Sequence, residues 1–102
     1  MKYVFNKTLK KVSDFYGIEQ EELFEKNKKQ LIADSRHLVY YICLQSPNFK
    51  VSYIQKYMGE RGYHADHAEI IYGKKKWIDW MSNHHPDSQN KLAELTQECI
   101  DF

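Results

Sequence analysis

Apolar residues recur along this chain mainly at helical spacing. Val4, Phe5, Leu9, Val12, Phe15 and Tyr16 form one amphipathic stripe, and Gly17 predicts the stop that follows it. An acidic turn comes next, from Glu19 to Phe24, docked by Leu23 and Phe24, and then a polar, basic link from Lys26 to Gln30. A third helix is predicted to begin at a cap on Asp34 or Ser35 and to end near Gln45, where Ser46-Pro47-Asn48 stops it. Val51 to Met58 reads as a shorter helix, closed by the turn Gly59-Glu60-Arg61-Gly62. A long helix then starts at Asp66, and Glu69, three residues on, gives that start the form of a capping box. Its inward side is read as Ile70, Ile71, Lys74, Trp77, Ile78 and Met81. Ser82 to Pro86 breaks it, and a last helix from Asp87 to Ile100 carries Leu92, Leu95, Cys99 and Ile100 on one face. The predicted fold is all-α: five to six helices containing a helix-turn-helix over residues 1–81, with an acidic helical extension over 82–102.

With 102 residues, the chain has room for one domain of ordinary size. Its formal charge of +1 announces no polyanion partner, but the mean hides an asymmetry. Residues 1–81 hold 14 basic side chains against 10 acidic, whereas residues 82–102 hold Lys91 against four carboxylates. Cys43 and Cys99 offer neither metal-ligand spacing nor a disulfide framework, and Cys43 lies in an apolar run that marks it as a small core residue. No stretch approaches the ~20 apolar residues of a membrane span, and the first residues lack the apolar core of a signal peptide. A cytoplasmic, reducing home and no membrane partner are therefore expected.

The short helix, glycine turn and longer helix outline a helix-turn-helix, whose second helix reads the major groove in DNA-binding examples. Basic residues fall where such a reading needs them: Lys74, Lys75 and Lys76 on the candidate recognition helix, Lys26, Lys28 and Lys29 in the link, and Arg36 beyond it. The bland alternative for each is a solvated charge on a helix surface.

The order of segments from Val12 to Ile78 resembles the C-terminal DNA-binding domain of the bacterial replication initiator DnaA, a Trp-repressor-like helix-turn-helix. The likeness is carried by Val12-Ser13-Asp14-Phe15-Tyr16-Gly17-Ile18, Glu22-Leu23-Phe24, Arg36-His37-Leu38-Val39-Tyr40-Tyr41, Ile54 to Gly59, Asp66-His67-Ala68-Glu69-Ile70-Ile71 and the pair Lys75-Lys76. The resemblance implies duplex DNA binding. Lys28, Lys29 and Lys76 would meet phosphates, Arg36 the minor groove, and His67, Glu69 and Tyr72 the major-groove edges, with Asp66 and Lys75 beside them. Three departures stand out: Ala68-Glu69 replaces the family's Ser-Thr, the turn is longer around Gly62, Tyr63 and His64, and Gln55 replaces a small residue. Glu69 is expected either to accept from a cytosine amino group or to be tied up in its capping box.

No Gly-rich phosphate loop is present, so ATP binding is not expected, nor is any other cofactor. His64, Asp66 and His67 straddle a turn without a recognisable third ligand, and His84 and His85 are distant in sequence, so no metal is expected. The serines read as caps and turn residues, which leaves no nucleophile with a base and an orienting acid and points away from an enzyme. The chain is thus expected to be a stand-alone DNA-binding regulator or replication accessory. The competing reading is a protein-interaction module that kept the fold and lost DNA. The C-terminal helix is the surface expected to pair two chains or to meet a protein partner.

Overall fold

The computed structural model describes residues 1–26, 29–83 and 86–100, the side chain of Pro86 excepted. Among them it contains five α-helices, one short 3-10 turn and no strand, the all-α architecture expected. Helix α1 spans Lys2–Tyr16, the 3-10 turn Gln20–Phe24, α2 Gln30–Gln45, α3 Val51–Glu60, α4 His67–Asn83 and α5 Pro86–Ile100.

Gly17 ends α1 in the left-handed region at φ 67°, and its N–H and that of Ile18 close on the Asp14 and Ser13 carbonyls. A β-carbon would be strained there, so glycine terminates the helix as its position suggested. Asn48, at φ 65°, turns the chain between α2 and α3, a conformation asparagine tolerates better than most residues.

Helix α2 begins at Gln30, about one turn before the caps proposed at Asp34 and Ser35. Neither residue caps it. The Ser35 hydroxyl donates to the Leu31 carbonyl inside the helix, and Asp34 accepts from the Gln30 side chain. The helix packs against α1, α4 and α5, with Leu38, Val39, Tyr40, Ile42 and Cys43 fully buried. Val4, Phe5, Leu9 and Val12 from α1, Ile54 and Met58 from α3, and Ile70 from α4 join it in one core. Leu92, Leu95 and Cys99 of α5 belong to the same core, so the apolar face of the C-terminal helix is used within the chain. Cys43 and Cys99 are both free and buried, and burial pushes the Cys43 thiol up to about 12, which makes it inert.

The stripes differ from the sequence reading in two places. Phe15 is exposed at the end of α1, while Thr8 takes a buried position by returning its hydroxyl to the Val4 carbonyl. On α4, Ile71 and Ile78 are exposed, and Gly73 is buried in their stead. A position without a side chain faces inward because α2 comes too close to admit one.

Candidate nucleic-acid interface

The close approach of α2 and α4 is set by Gly73 and His37. A β-carbon at position 73 would lie 2.7 Å from the His37 Cδ2 and 3.0 Å from its Cβ. The imidazole is thereby clamped on the α4 backbone, and its Nδ1 is buried with no hydrogen-bond partner among the described residues. Burial and the neighbouring Lys76 lower the His37 pKa, so the ring is neutral at pH 7. Tyr72 meets it edge to face at 5.7 Å. One turn further along the seam, Asp34 accepts from Lys76 at 3.3 Å, and its carbonyl accepts from the Trp77 indole at 3.2 Å. These contacts fix the rotation of α4 about its axis, and with it the set of side chains turned to solvent.

That outer set contains Tyr72, Lys75, Lys76 and Asp79, which line a shallow cleft. Tyr72 is 62% exposed, and Lys75 and Lys76 are exposed beside it. At the start of the helix, Asp66 and His67 are exposed, and the Asp66 carboxylate accepts the Glu69 N–H at 2.7 Å. Lys29 is exposed at the start of α2. Six of the expected contact residues (Lys29, Asp66, His67, Tyr72, Lys75 and Lys76) are therefore at the surface. Lys28 lies outside the described residues, as do His84 and His85.

Arg36 and Glu69 are placed differently from the sequence expectation. Arg36 is 6% exposed and sits behind the surface. Its Nε donates to the Leu23 carbonyl at 2.8 Å and one terminal nitrogen to the Glu25 carbonyl at 2.7 Å, while the guanidinium stacks 4.4 Å from the Tyr63 ring centre. A planar fork suits that arrangement, since it can serve two carbonyls and present a flat face to the phenol together. Its role here is to hold the end of the 3-10 turn, from which the basic link departs.

Glu69 completes only half of the capping box. Its carboxylate turns away from the helix start and accepts from the Tyr40 hydroxyl at 2.6 Å and the Tyr63 hydroxyl at 2.8 Å. Both phenols are buried, and an ionised acceptor makes these bonds shorter and stronger than neutral ones. Burial and donation to Glu69 push Tyr63 up to about 12 and raise Tyr40 as well, so both remain donors across the physiological range. Each oxygen of the carboxylate thus accepts one phenol hydroxyl on the side of α2 and the preceding turn.

The three departures noted in the sequence form one constellation. Tyr63 comes from the lengthened turn, Glu69 receives its hydroxyl, and Gln55 donates to the Ala65 carbonyl in the same turn at 3.3 Å. Sequence reasoning missed the roles of Tyr40, Tyr63, His37 and Gly73. Only Gly73 carried a local signal, as a glycine inside a long helix where alanine would be favoured.

Among the described residues, no group of three or more His, Cys, Asp or Glu could hold a metal ion, and no helix is long and apolar enough to cross a membrane. No family model matches the chain, and no solved structure matches it. Curated relatives do. The chain is 31% identical over 98% of its length to the chromosomal replication initiator protein DnaA of Jannaschia sp. (strain CCS1), which it covers over 20%. It is 24% identical over 82% of its length to DnaA of Leifsonia xyli subsp. xyli (strain CTCB07), and 24% identical over 80% to that of Clavibacter sepedonicus. The chain thus spans about a fifth of the length of the DnaA proteins it matches.

Proposed function

Proceeding from this resemblance to the C-terminal region of the DnaA initiators, we propose that the chain is a non-catalytic module that binds double-stranded DNA in a sequence-specific manner through α4. The observation that supports this most strongly is the division of the family-like residues into an outer set and an inner set. Tyr72, Lys75 and Lys76 stand outward on one helix face with Asp79 as the single carboxylate lining their cleft, whereas Glu69, at a family-like position, is held by two phenols on the inner side.

In this reading His67 and Tyr72 meet base edges in the major groove, with Asp66 capping the helix start beside them. Lys28, Lys29, Lys75 and Lys76 neutralise phosphates. The Lys76–Asp34 pair does not prevent this. Both side chains are partly exposed, and such a pair contributes only about 0–1 kcal/mol, so a phosphate displaces the carboxylate readily. Arg36 and Glu69 are positioning residues. Arg36 anchors the basic link, and Glu69 locks α4 to α2 and to the turn before it. A regulator or an accessory in replication is the role such a module would fill.

The test is a titration of labelled duplex followed by fluorescence anisotropy at several salt concentrations. Four phosphate contacts predict a slope of about −3 to −4 in log K against log salt, and each Lys→Ala change at 29, 75 or 76 should reduce it by about 1. A slope near zero, or one that the triple lysine variant leaves unchanged, would refute the assignment.

A further inference from the structure

A cavity of about 370 Å³ opens where the end of α1, α2, α4 and the first half of α5 converge. Its size falls at the lower end of the range of about 300–1,000 Å³ found for small-molecule sites. Phe15, Tyr16, Trp77 and Trp80 form its walls, and Leu38 and Leu92, both buried, contribute apolar surface. The two indoles meet edge to face at 5.3 Å. Phe15 remains 56% exposed at its rim, an unusual state for a phenylalanine beside a core.

Aromatic walls of this kind suit two sorts of ligand. Ring faces attract a cation, and they also stack on a planar ring. The polar groups decide between them. Asp34 lines the cavity, but its Oδ1 already accepts from the Gln30 amide at 2.8 Å and from Lys76 at 3.3 Å. From α5, Ser88 and Lys91, three residues apart and so on one helix face, also line it. Neither of those two side chains makes a hydrogen bond or ion pair with another described residue. With Asp34 engaged by Gln30 and Lys76, the cationic group among the lining residues is the Lys91 ammonium, and the Ser88 hydroxyl lies one helical turn before it. Tyr16, held near 12 by burial and by the nearby Asp34, adds a neutral phenol to the wall.

We propose that this cavity is a binding site for a planar aromatic carboxylate, its ring between the Trp77, Trp80, Phe15 and Tyr16 side chains and its carboxylate on Lys91 and Ser88. Its lining shares no residue with the cleft of Tyr72, Lys75, Lys76 and Asp79, and the proposal does not rest on the DNA reading.

The chain contains only two tryptophans, and both line the cavity, so the two indole N–H signals of a proton–nitrogen NMR spectrum report on it without ambiguity. The probe is 2-naphthoate, with 2-naphthylmethylammonium as the matched cation. Both indole signals should shift saturably with 2-naphthoate, and the ammonium analogue should bind at least tenfold more weakly. Lys91→Ala should weaken the carboxylate at least fivefold with the unfolding midpoint unchanged, and Lys91→Glu should shift preference to the ammonium. Shifts that never saturate would overturn the proposal. So would equal or tighter binding of the cation by the unaltered chain, or a carboxylate affinity indifferent to both Lys91 variants.

Discussion

Replacing Glu69 with alanine removes an acceptor that two buried donors share, and its cost can be worked from the contacts. The Tyr40 hydroxyl sits in a residue with no exposure and the Tyr63 hydroxyl in one with 6%, so both donors lose a partner in a largely buried setting. A buried donor left unsatisfied costs about 1–3 kcal/mol, which puts the loss for the pair at about 2–4 kcal/mol if relaxation recovers part of it. That is a large share of the stability of a domain this size, about 5–15 kcal/mol, and corresponds to a melting decrease on the order of 15 °C. Urea unfolding followed by circular dichroism measures it. Tyr63→Phe added to the Glu69→Ala chain should recover about 1 kcal/mol, because one orphaned donor disappears with the hydroxyl. A single-variant loss below about 0.5 kcal/mol, the ordinary range for a surface change, would show that Glu69 is not a structural tie.

Gly73→Ala should destabilise the chain by about 1–2 kcal/mol in urea melts, because overpacking against His37 exceeds the helix-propensity gain; a His37→Ala background should lessen that loss without abolishing it, since the contact with the β-carbon at position 37 remains. Arg36→Ala should lower stability by about 2–3 kcal/mol and weaken duplex binding through the displaced link, and Arg36→Lys should not restore it, since an ammonium cannot serve two carbonyls and stack. Phenolate absorbance should show Tyr16 and Tyr63 ionising only near 12. In the unfolded chain both titrate near the ordinary value of about 10, so the stability they confer is complete below that pH and is lost as pH rises toward about 12. His37 works in the opposite sense: its pKa is depressed by burial, so its contribution is present above about 6.5 and declines as pH falls below that value.

The helices and most of the core were legible because both follow from local apolar spacing and from glycines that end elements. The start of α2 was not, because Asp34 and Ser35 are good caps whose side chains are occupied elsewhere. One bonds within the helix, and the other meets a lysine 42 positions away. Ile71 and Ile78 were read inward because hydrophobicity alone cannot detect that α2 approaches the backbone at Gly73. The candidate contact residues on the outer face of α4 could be located from the resemblance, since exposure there follows from helix periodicity. Arg36 and Glu69 could not. Arg36 is bound to carbonyls 11 and 13 residues earlier, and Glu69 to a phenol 29 residues earlier. Such pairings depend on the path of the lengthened turn that supplies Tyr63. Charge at a family-like position marked both residues as DNA contacts, and the structure buries Arg36 and engages the Glu69 carboxylate with two phenols.

In the proposed function the outer face of α4 reads duplex sequence. Selection of bound duplexes from a randomised DNA pool at about 150 mM salt tests it most directly, because non-specific attraction fades at that ionic strength. The expected result is a recovered consensus that Tyr72→Ala with Lys75→Ala and Lys76→Ala abolishes while the fold, checked by circular dichroism, persists. Recovery of no consensus by the intact chain, or of the same consensus by the folded triple variant, would contradict it.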